Sequence, residues 1–482
     1  MGRLGRAACF LVCAAGPLDA SGWKERVAFT LSWRVRGEAV DYFQPPAGAA
    51  DPGAPRYAFL GSQLRAGVRV TLPHFQIVVE GQDTRLFGLP DDASLTAPYG
   101  NLGPGAIYYA HTPEVNQGAP FLKQGVVSYR RSGFAVSAGR FESSDGLETI
   151  PPDPSLAWLK RARLGERLVG PFGYTHATRS FDGVRLSYDR ARWNATALAT
   201  HPTRGGYEGE ANRGLTAVDV AGVALTLKPF LERLPADVRL FYLYYGDDRQ
   251  DTVKLDNRPL LARRADQEAI RVHTAGGHVA TVVAAGKGAF DALAWGVVQS
   301  GDWGRLRHKA WALSAEAGYQ LASLRGAPWL RFGYSRSSGD RDPSDATHGT
   351  FFQVIPTPRI YAQFPFYNLM NNEDAFVQLL LFRPQDHIFL RADYHWLQLT
   401  EASDLWYAGG GATNERVFGY SGTPSRGRRD LARVLDVGLT VKLHPKLTAY
   451  AYYGHAAGRG VVASTFAGPS ANYGYLELTF RR

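Results

Sequence analysis

The feature that most constrains this chain is an alternation of apolar and polar residues with a period of two. From Val27 to Arg36 the odd positions are apolar and most of the even ones small or polar. A strand sends successive side chains to opposite faces, so this segment has one greasy face and one wet face. The pattern returns in Gln63–Leu72, in Lys309–Leu321, in Ile388–Trp396 and in Leu435–Lys442. Followed along the chain, it predicts strands at 26–40, 62–73, 75–84, 122–131, 133–142, 179–188, 193–201, 216–228, 236–246, 268–282, 289–300, 307–321, 328–338, 375–383, 387–399, 433–443, 447–455 and 472–481. Tight turns (Pro73-His74, Arg131-Ser132, Asp189–Arg192, Pro384–Asp386, His444–Lys446) alternate with long loops at 41–61, 85–121, 143–178, 339–374 and 400–432.

Eighteen strands joined by short and long connections in turn predict an all-β fold: an 18-stranded antiparallel transmembrane β-barrel with short periplasmic turns and long extracellular loops. Closure leaves no unpaired strand edge, which hydrocarbon requires of any sheet. No apolar run reaches the roughly 20 residues of a membrane-spanning helix. A soluble sandwich would bury its apolar faces against each other and needs no alternation in loop length. Trp193, Tyr242, Tyr244, Tyr245, Tyr450, Tyr452, Tyr453, Tyr473 and Tyr475 lie near strand ends, where interfacial aromatic girdles are expected. Leu476, Leu478 and Phe480 read as the lipid face of the last strand, the segment the barrel-assembly machinery would engage, although Arg481 and Arg482 follow the final aromatic.

Residues 1–20 have the order of a cleaved export signal: Arg3 and Arg6, then an apolar stretch from Ala7 to Ala15, then Leu18-Asp19-Ala20. Cleavage would leave a single barrel domain, 21–482, destined for the bacterial outer membrane. Both cysteines, Cys9 and Cys13, would leave with the signal, which excludes a disulfide scaffold or a cysteine metal site in the mature chain.

If the greasy face meets lipid, the wet face lines a lumen. Arg34, Arg36, Arg65, Arg69, Arg185, Arg271, Arg331, Arg391 and Lys442 fall there, with Arg130 and Arg239 on less regular strands. The acids of that face are fewer: Glu38, Glu80, Glu316, Asp393 and Asp436. Nine of the 54 basic residues are lysine and 45 arginine, in a chain of net charge +10. Guanidinium groups suit carboxylate recognition, and several in one tube raise the local anion concentration. The competing reading is that these arginines pair with the acids and stiffen the barrel. Eighteen strands enclose room for a solute unless loops fill it.

Signatures of chemistry are missing from the sequence. There is no phosphate loop, HExxH or GxSxG, and His273 and His278, five apart, fall on opposite faces of a strand. Asp342, Asp345, Glu373 and Asp374 read as a solvated acidic loop rather than a calcium site. No catalytic residue, metal ligand, cofactor or nucleic-acid partner is expected; the expected partners are the bilayer and anionic solutes.

Several stretches resemble one family. Arg167-Leu168-Val169-Gly170-Pro171-Phe172-Gly173 is followed by Arg179-Ser180-Phe181-Asp182-Gly183-Val184-Arg185-Leu186. Later come Asp404-Leu405-Trp406-Tyr407-Ala408-Gly409-Gly410-Gly411-Ala412 and Arg429-Asp430-Leu431-Ala432. These are similar to the alginate-export outer-membrane proteins, with Arg179, Phe181, Asp182, Gly183, Asp404 and Trp406 carrying the likeness. The resemblance implies an eighteen-stranded barrel with an arginine-rich lumen that passes a polyuronate. It also leaves open a general anion-preferring porin, or an importer of small acidic nutrients or oligosaccharides. Two features depart from the family: Gly139-Arg140-Phe141 stands where a Gly-Arg-Gln signature is usual, and no long periplasmic connection is present to act as a plug. Any gate is therefore expected among the extracellular loops.

Overall fold

The computed structural model describes residues 26–49, 54–228, 235–357, 363–381 and 387–482. The predicted export signal at 1–20, most of the 229–235 turn and the Pro384–Asp386 turn lie outside the described residues. Eighteen antiparallel strands form the wall. They are β1 (Val27–Asp41), β2 (Arg56–Thr71), β3 (Phe75–Phe87), β4 (Gln117–Arg131), β5 (Phe134–Phe141), β6 (Phe181–Asp189), β7 (Trp193–Pro202), β8 (Val218–Leu227) and β9 (Ala236–Asp247). The second half adds β10 (Ile270–Ala285), β11 (Gly288–Trp303), β12 (Leu306–Gln320), β13 (Pro328–Ser337), β14 (Asn372–Leu381), β15 (Ile388–Leu399), β16 (Asp430–His444), β17 (Leu447–Gly458) and β18 (Ser470–Arg481).

Each strand pairs with the next, and β1 closes the barrel on β18 from Ser32↔Arg481 to Asp41↔Asn472. The strands sit where the alternation places them, and several run further at their loop ends. Leu240, Phe332 and Leu476 are exposed on the outer face, where the bilayer covers them. The periplasmic turns are tight. Between β4 and β5, Ser132 and Gly133 both take positive φ (52° and 85°), the geometry of a two-residue hairpin matched to strand twist. A Cβ on Gly133 would lie 2.4 Å from the Asp189 carbonyl oxygen, so this turn needs glycine for space as well as for φ.

The inner face differs from a porin wall facing water alone. Val218, Val220, Ile270, Val272, Leu380, Leu397 and Val434 are lumen-facing yet fully buried. They pack against three extracellular loops, 142–180, 338–371 and 400–429, that fold inward. An aromatic core joins these loops to the wall. Phe352 lies 5.0 Å from Tyr245 and 5.0 Å from Trp303, and Trp406 lies 6.0 Å from Phe366 and 6.1 Å from Phe43. The inner hairpin Leu405–Gly409/Tyr420–Pro424 belongs to the same cap.

Candidate functional site

The lumen is divided by the 142–180 loop. A short helix, Pro154–Leu159, starts at Asp153, whose side chain accepts the Leu156 N–H at 2.7 Å, with proline in its first turn. The helix reaches the periplasmic end of the opposite wall. Ser155 donates to Gln320 at 3.1 Å, and Trp158 lies 5.3 Å from Trp329. Charged residues that follow pin the loop. Lys160 meets Asp237 at 2.7 Å, and Asp237 also holds His278 at 2.8 Å. Arg163 makes a bidentate contact with Glu316 at 2.9 and 3.0 Å; Arg331 (3.0 Å) and Arg167 (3.3 Å) share the same carboxylate. Arg331 also meets Asp291 at 3.0 Å. All these side chains are at most 1% exposed, so the cluster is dry and the removal of one partner would leave uncompensated charge. On the near side Arg239 binds Asp145 (2.7 Å) and Glu148 (2.6 Å) at the start of the loop.

A chamber of about 1300 Å³ lies between the loop segment Glu142–Ile150 and the β4–β9 wall, reaching the periplasmic turns at Pro73-His74 and Arg130–Gly133. Arg130 and Arg185 line it. Arg185 stacks over Phe141 at 5.2 Å, and Arg69 faces inward on β2, opposite Ala28 and Val78. None of these three arginines has an ion pair among the described residues.

The other predicted lumen residues have different surroundings. Arg36 is paired with Glu477 (2.6 Å) and Glu38 (3.5 Å) and lies over Tyr475. Arg34 donates to the carbonyls of Gly173 and Thr175, and Arg65 meets Glu142 at 3.2 Å and Glu80 at 3.9 Å. Arg391 is paired with Asp393, while Asp436 accepts from the Gln363 backbone and from Tyr452. Lys442 is exposed at the periplasmic end of β16.

Two expectations need correction. Arg271 stands on the outer face, paired with Asp248, because Ile270 and Val272 turn inward to pack against the cap. Tyr245, Tyr450, Tyr452, Tyr473 and Tyr475 also point inward; the last four form a ring cluster with centroids 5.1–5.7 Å apart. Trp193, Tyr242, Tyr244 and Tyr453 keep girdle positions on the outer face. The sequence reasoning passed over Lys160, Arg163 and Arg167, because a loop's length says nothing of its destination. It also passed over Asp237 and Asp291, although both alternate in register with apolar neighbours and could have been found by parity.

The motif residues organise the cap. Arg179 is buried, donating to the carbonyls of Gly411 (2.6 Å), Gly410 (3.0 Å) and Pro356 (3.3 Å), and lies over Phe172. One guanidinium therefore ties all three inward loops together. Phe181 is fully buried below it, and Asp182 holds Arg140 with two 2.7 Å contacts. Gly183, with φ near 159°, brings its backbone so close to Ala199 that a Cβ would lie 2.2 Å from that carbonyl oxygen. Asp404 accepts from Thr350, Tyr407 and the N–H groups of Leu405 and Asp340. Its burial raises its carboxyl to about 6, and burial together with the nearby Asp404 charge raises Asp340 to about 7. Trp406 donates to the Phe366 carbonyl from the aromatic core.

Residues 160–458, which include the 160–180 part of this loop, its partners on β9–β13 and the other two inward loops, match the family model described as alginate export. The chain belongs to the alginate-export family. The solved structures it resembles are outer-membrane barrels. OccAB2 of Acinetobacter baumannii superposes with a TM-score of 0.57 at 10% identity, covering 95% of this chain and 98% of that one. OccAB4 of the same organism gives 0.55 at 7%, covering 95% and 99%. OpdK of Pseudomonas aeruginosa gives 0.53 at 10%, covering 94% and 99%; it has also been determined with vanillate. No curated protein matches the sequence. The family and fold are those of outer-membrane channels, and this alginate-export barrel is an outer-membrane channel.

Proposed function

We propose that this channel is a passive conduit for anionic polysaccharide of the polyuronate type, entered from the periplasm, with residues 1–20 serving as the export signal of the barrel 21–482. The observation that carries the reading is the set of unpaired arginines, Arg69, Arg130 and Arg185, at the periplasmic side of the lumen, where most other inward arginines are neutralised by acids or carbonyls. A polyuronate presents one carboxylate per sugar, so a single chain can touch several such groups at once. Each exposed pair is worth about 0.2–1 kcal/mol, which permits both capture and release, and neighbouring pairs act together through effective concentration. The pinned arginines around Glu316 support no role in the path; they shape its wall.

The test is current block in planar bilayers. Oligouronates should block chloride current at low salt, longer chains better than short ones. The block should fade between 0.1 M and 1 M salt as the Debye length falls from about 10 Å to about 3 Å. Arg130→Ala with Arg185→Ala should weaken it, while neutral oligosaccharides block little in either protein. Equal block by neutral and acidic oligomers, independent of salt, would refute the polyuronate reading. A second reading, passage of small organic acids, is favoured by the vanillate bound to the structurally similar OpdK. It predicts that monomeric carboxylates block as well as oligomers do.

A further inference from the structure

Around the extracellular rim, four strand arginines on the outer face are ion-paired. Arg56 is paired with Asp41 (3.1 Å), Arg85 with Asp83 (3.1 Å), Arg140 with Asp182 (2.7 Å) and Arg433 with Asp430 (2.8 Å). The β11–β12 hairpin breaks this pattern. Arg305 in its tip and Arg307 and Lys309 on the outer face of β12 are all exposed, and none has an ion pair among the described residues. Asp302, which stands opposite Arg307 in the ladder, is likewise unpaired.

The position of these cations decides what they meet. Along the outer face of β12, Arg307 and Lys309 are followed by Trp311 and Leu313, exposed by 37% and 41%. Trp311 and Leu313 have the character of the membrane boundary and the hydrocarbon band. At about 3.3 Å per residue along a strand tilted by about 40°, Lys309 stands about 5 Å above Trp311 and Arg307 about 10 Å above it. That is headgroup depth in the outer leaflet. His273 on β10, hydrogen-bonded to Tyr242, lies level with Ser300 and Lys309, about 10 Å across at the usual strand spacing. The loop above leans onto the hairpin: Asp266 accepts the Arg305 backbone N–H at 3.1 Å. The adjacent segment Leu260–Ala265 adds an exposed Arg264 and leaves Leu261 80% exposed.

We propose that the outer face of the β11–β12 hairpin is a docking surface for the phosphorylated disaccharide headgroup of outer-leaflet lipopolysaccharide. Such a headgroup carries a phosphate at each end of a rigid disaccharide, a span comparable to the row of cations. Arg305, Arg307 and Lys309 supply the charge, and Trp311 and Leu313 meet the acyl chains below. Unpaired cations at this depth are costly to leave facing lipid unless an anion meets them, whereas the paired arginines elsewhere on the rim are already satisfied.

The test uses the full barrel in detergent and bisphosphorylated lipid A as the probe, with binding read by native mass spectrometry. Correct folding of each variant is read independently from heat-modifiable gel mobility. Arg305→Gln with Arg307→Gln and Lys309→Gln should weaken binding by about a hundredfold, about fivefold per side chain near an anionic surface. Arg56→Gln with Arg85→Gln should leave it unchanged. Fully dephosphorylated lipid A should bind the wild type as weakly as the intact lipid binds the triple variant. The proposal is overturned if the triple variant binds within twofold of wild type. It is also overturned if dephosphorylated lipid A or phosphatidylglycerol binds as tightly as bisphosphorylated lipid A.

Discussion

Replacing Glu316 by glutamine removes the carboxylate that Arg163, Arg167 and Arg331 share, and so tests whether the inward loop is held by charge. In the native barrel Arg163 and Arg331 lie 2.9 and 3.0 Å from that carboxylate and Arg167 3.3 Å, in a site at most 1% exposed. Glutamine keeps one acceptor but no charge, leaving three guanidinium groups with Asp291 beside Arg331. Loss of one partner from a buried ion pair costs about 3–5 kcal/mol. At 1.4 kcal/mol per tenfold, the balance between docked and released loop should move by at least about a hundredfold. The backbone ladder and the outer face are untouched, so the barrel should still assemble and keep its heat-modifiable mobility. Single-channel recordings of Glu316→Gln should show larger mean conductance with frequent stepwise closures, and trypsin should cut after Arg161 or Arg163 faster than in wild type. A variant with native conductance, a quiet trace and unchanged protease resistance would mean that apolar packing, through Trp158 and the aromatic core, holds the loop without the ions.

Other consequences follow from the same geometry. Under a salt gradient the wild-type barrel should show a chloride-preferring reversal potential, and Arg69→Glu, Arg130→Glu and Arg185→Glu together should move it toward cation preference. Arg271→Ala should leave that potential unchanged, because the side chain is outside the barrel and paired with Asp248. Arg179→Met should raise loop hydrogen exchange in all three inward loops at once, since the guanidinium bridges them. Asp340 and Asp404, raised to about 7 and about 6, favour the packed cap when protonated. Their contribution is complete below the ordinary carboxylate range and is lost as pH rises through 6 to 7. Protease resistance of the cap should therefore fall over that window, and Asp340→Asn should flatten the fall.

The strands were legible because the bilayer imposes its period on every one of them. Even Gly-rich β10 and β11 were found, since outer-face Val279, Phe290 and Val298 keep the alternation. Parity alone could not say which face was outer where both faces are apolar. At Ile270–His273 the inner face packs on the cap, so the sequence shows Ile270 and Val272 as greasy and Arg271 as wet, and the inference inverted. Tyr245 was misplaced for the same reason, its ring lying 5.0 Å from Phe352 of an inward loop. The arginines of β13 and β15 were placed on the correct face but not in their setting. Nothing in the text of Arg331 indicates that Glu316, Asp291 and the 160–167 segment converge on it.

This convergence explains how a basic lumen can be both rigid and selective. Charge on the β10–β15 side is consumed internally: Arg331 and Arg391 meet Asp291, Glu316 and Asp393, and the inward loop brings its own cations to complete the set. On the β4–β9 side the loop instead presents acids, Asp145 and Glu148, to a single wall arginine, Arg239. Arg130 and Arg185, beside the chamber, form no ion pair among the described residues. The loop thus assigns each half of the wall its role. Where it docks, arginine is structural; where it stands away, arginine remains available to a passing anion. A variant that releases the loop should therefore widen the path and weaken its preference for anions together, because Asp291 and Asp237 would then face the same water as the arginines.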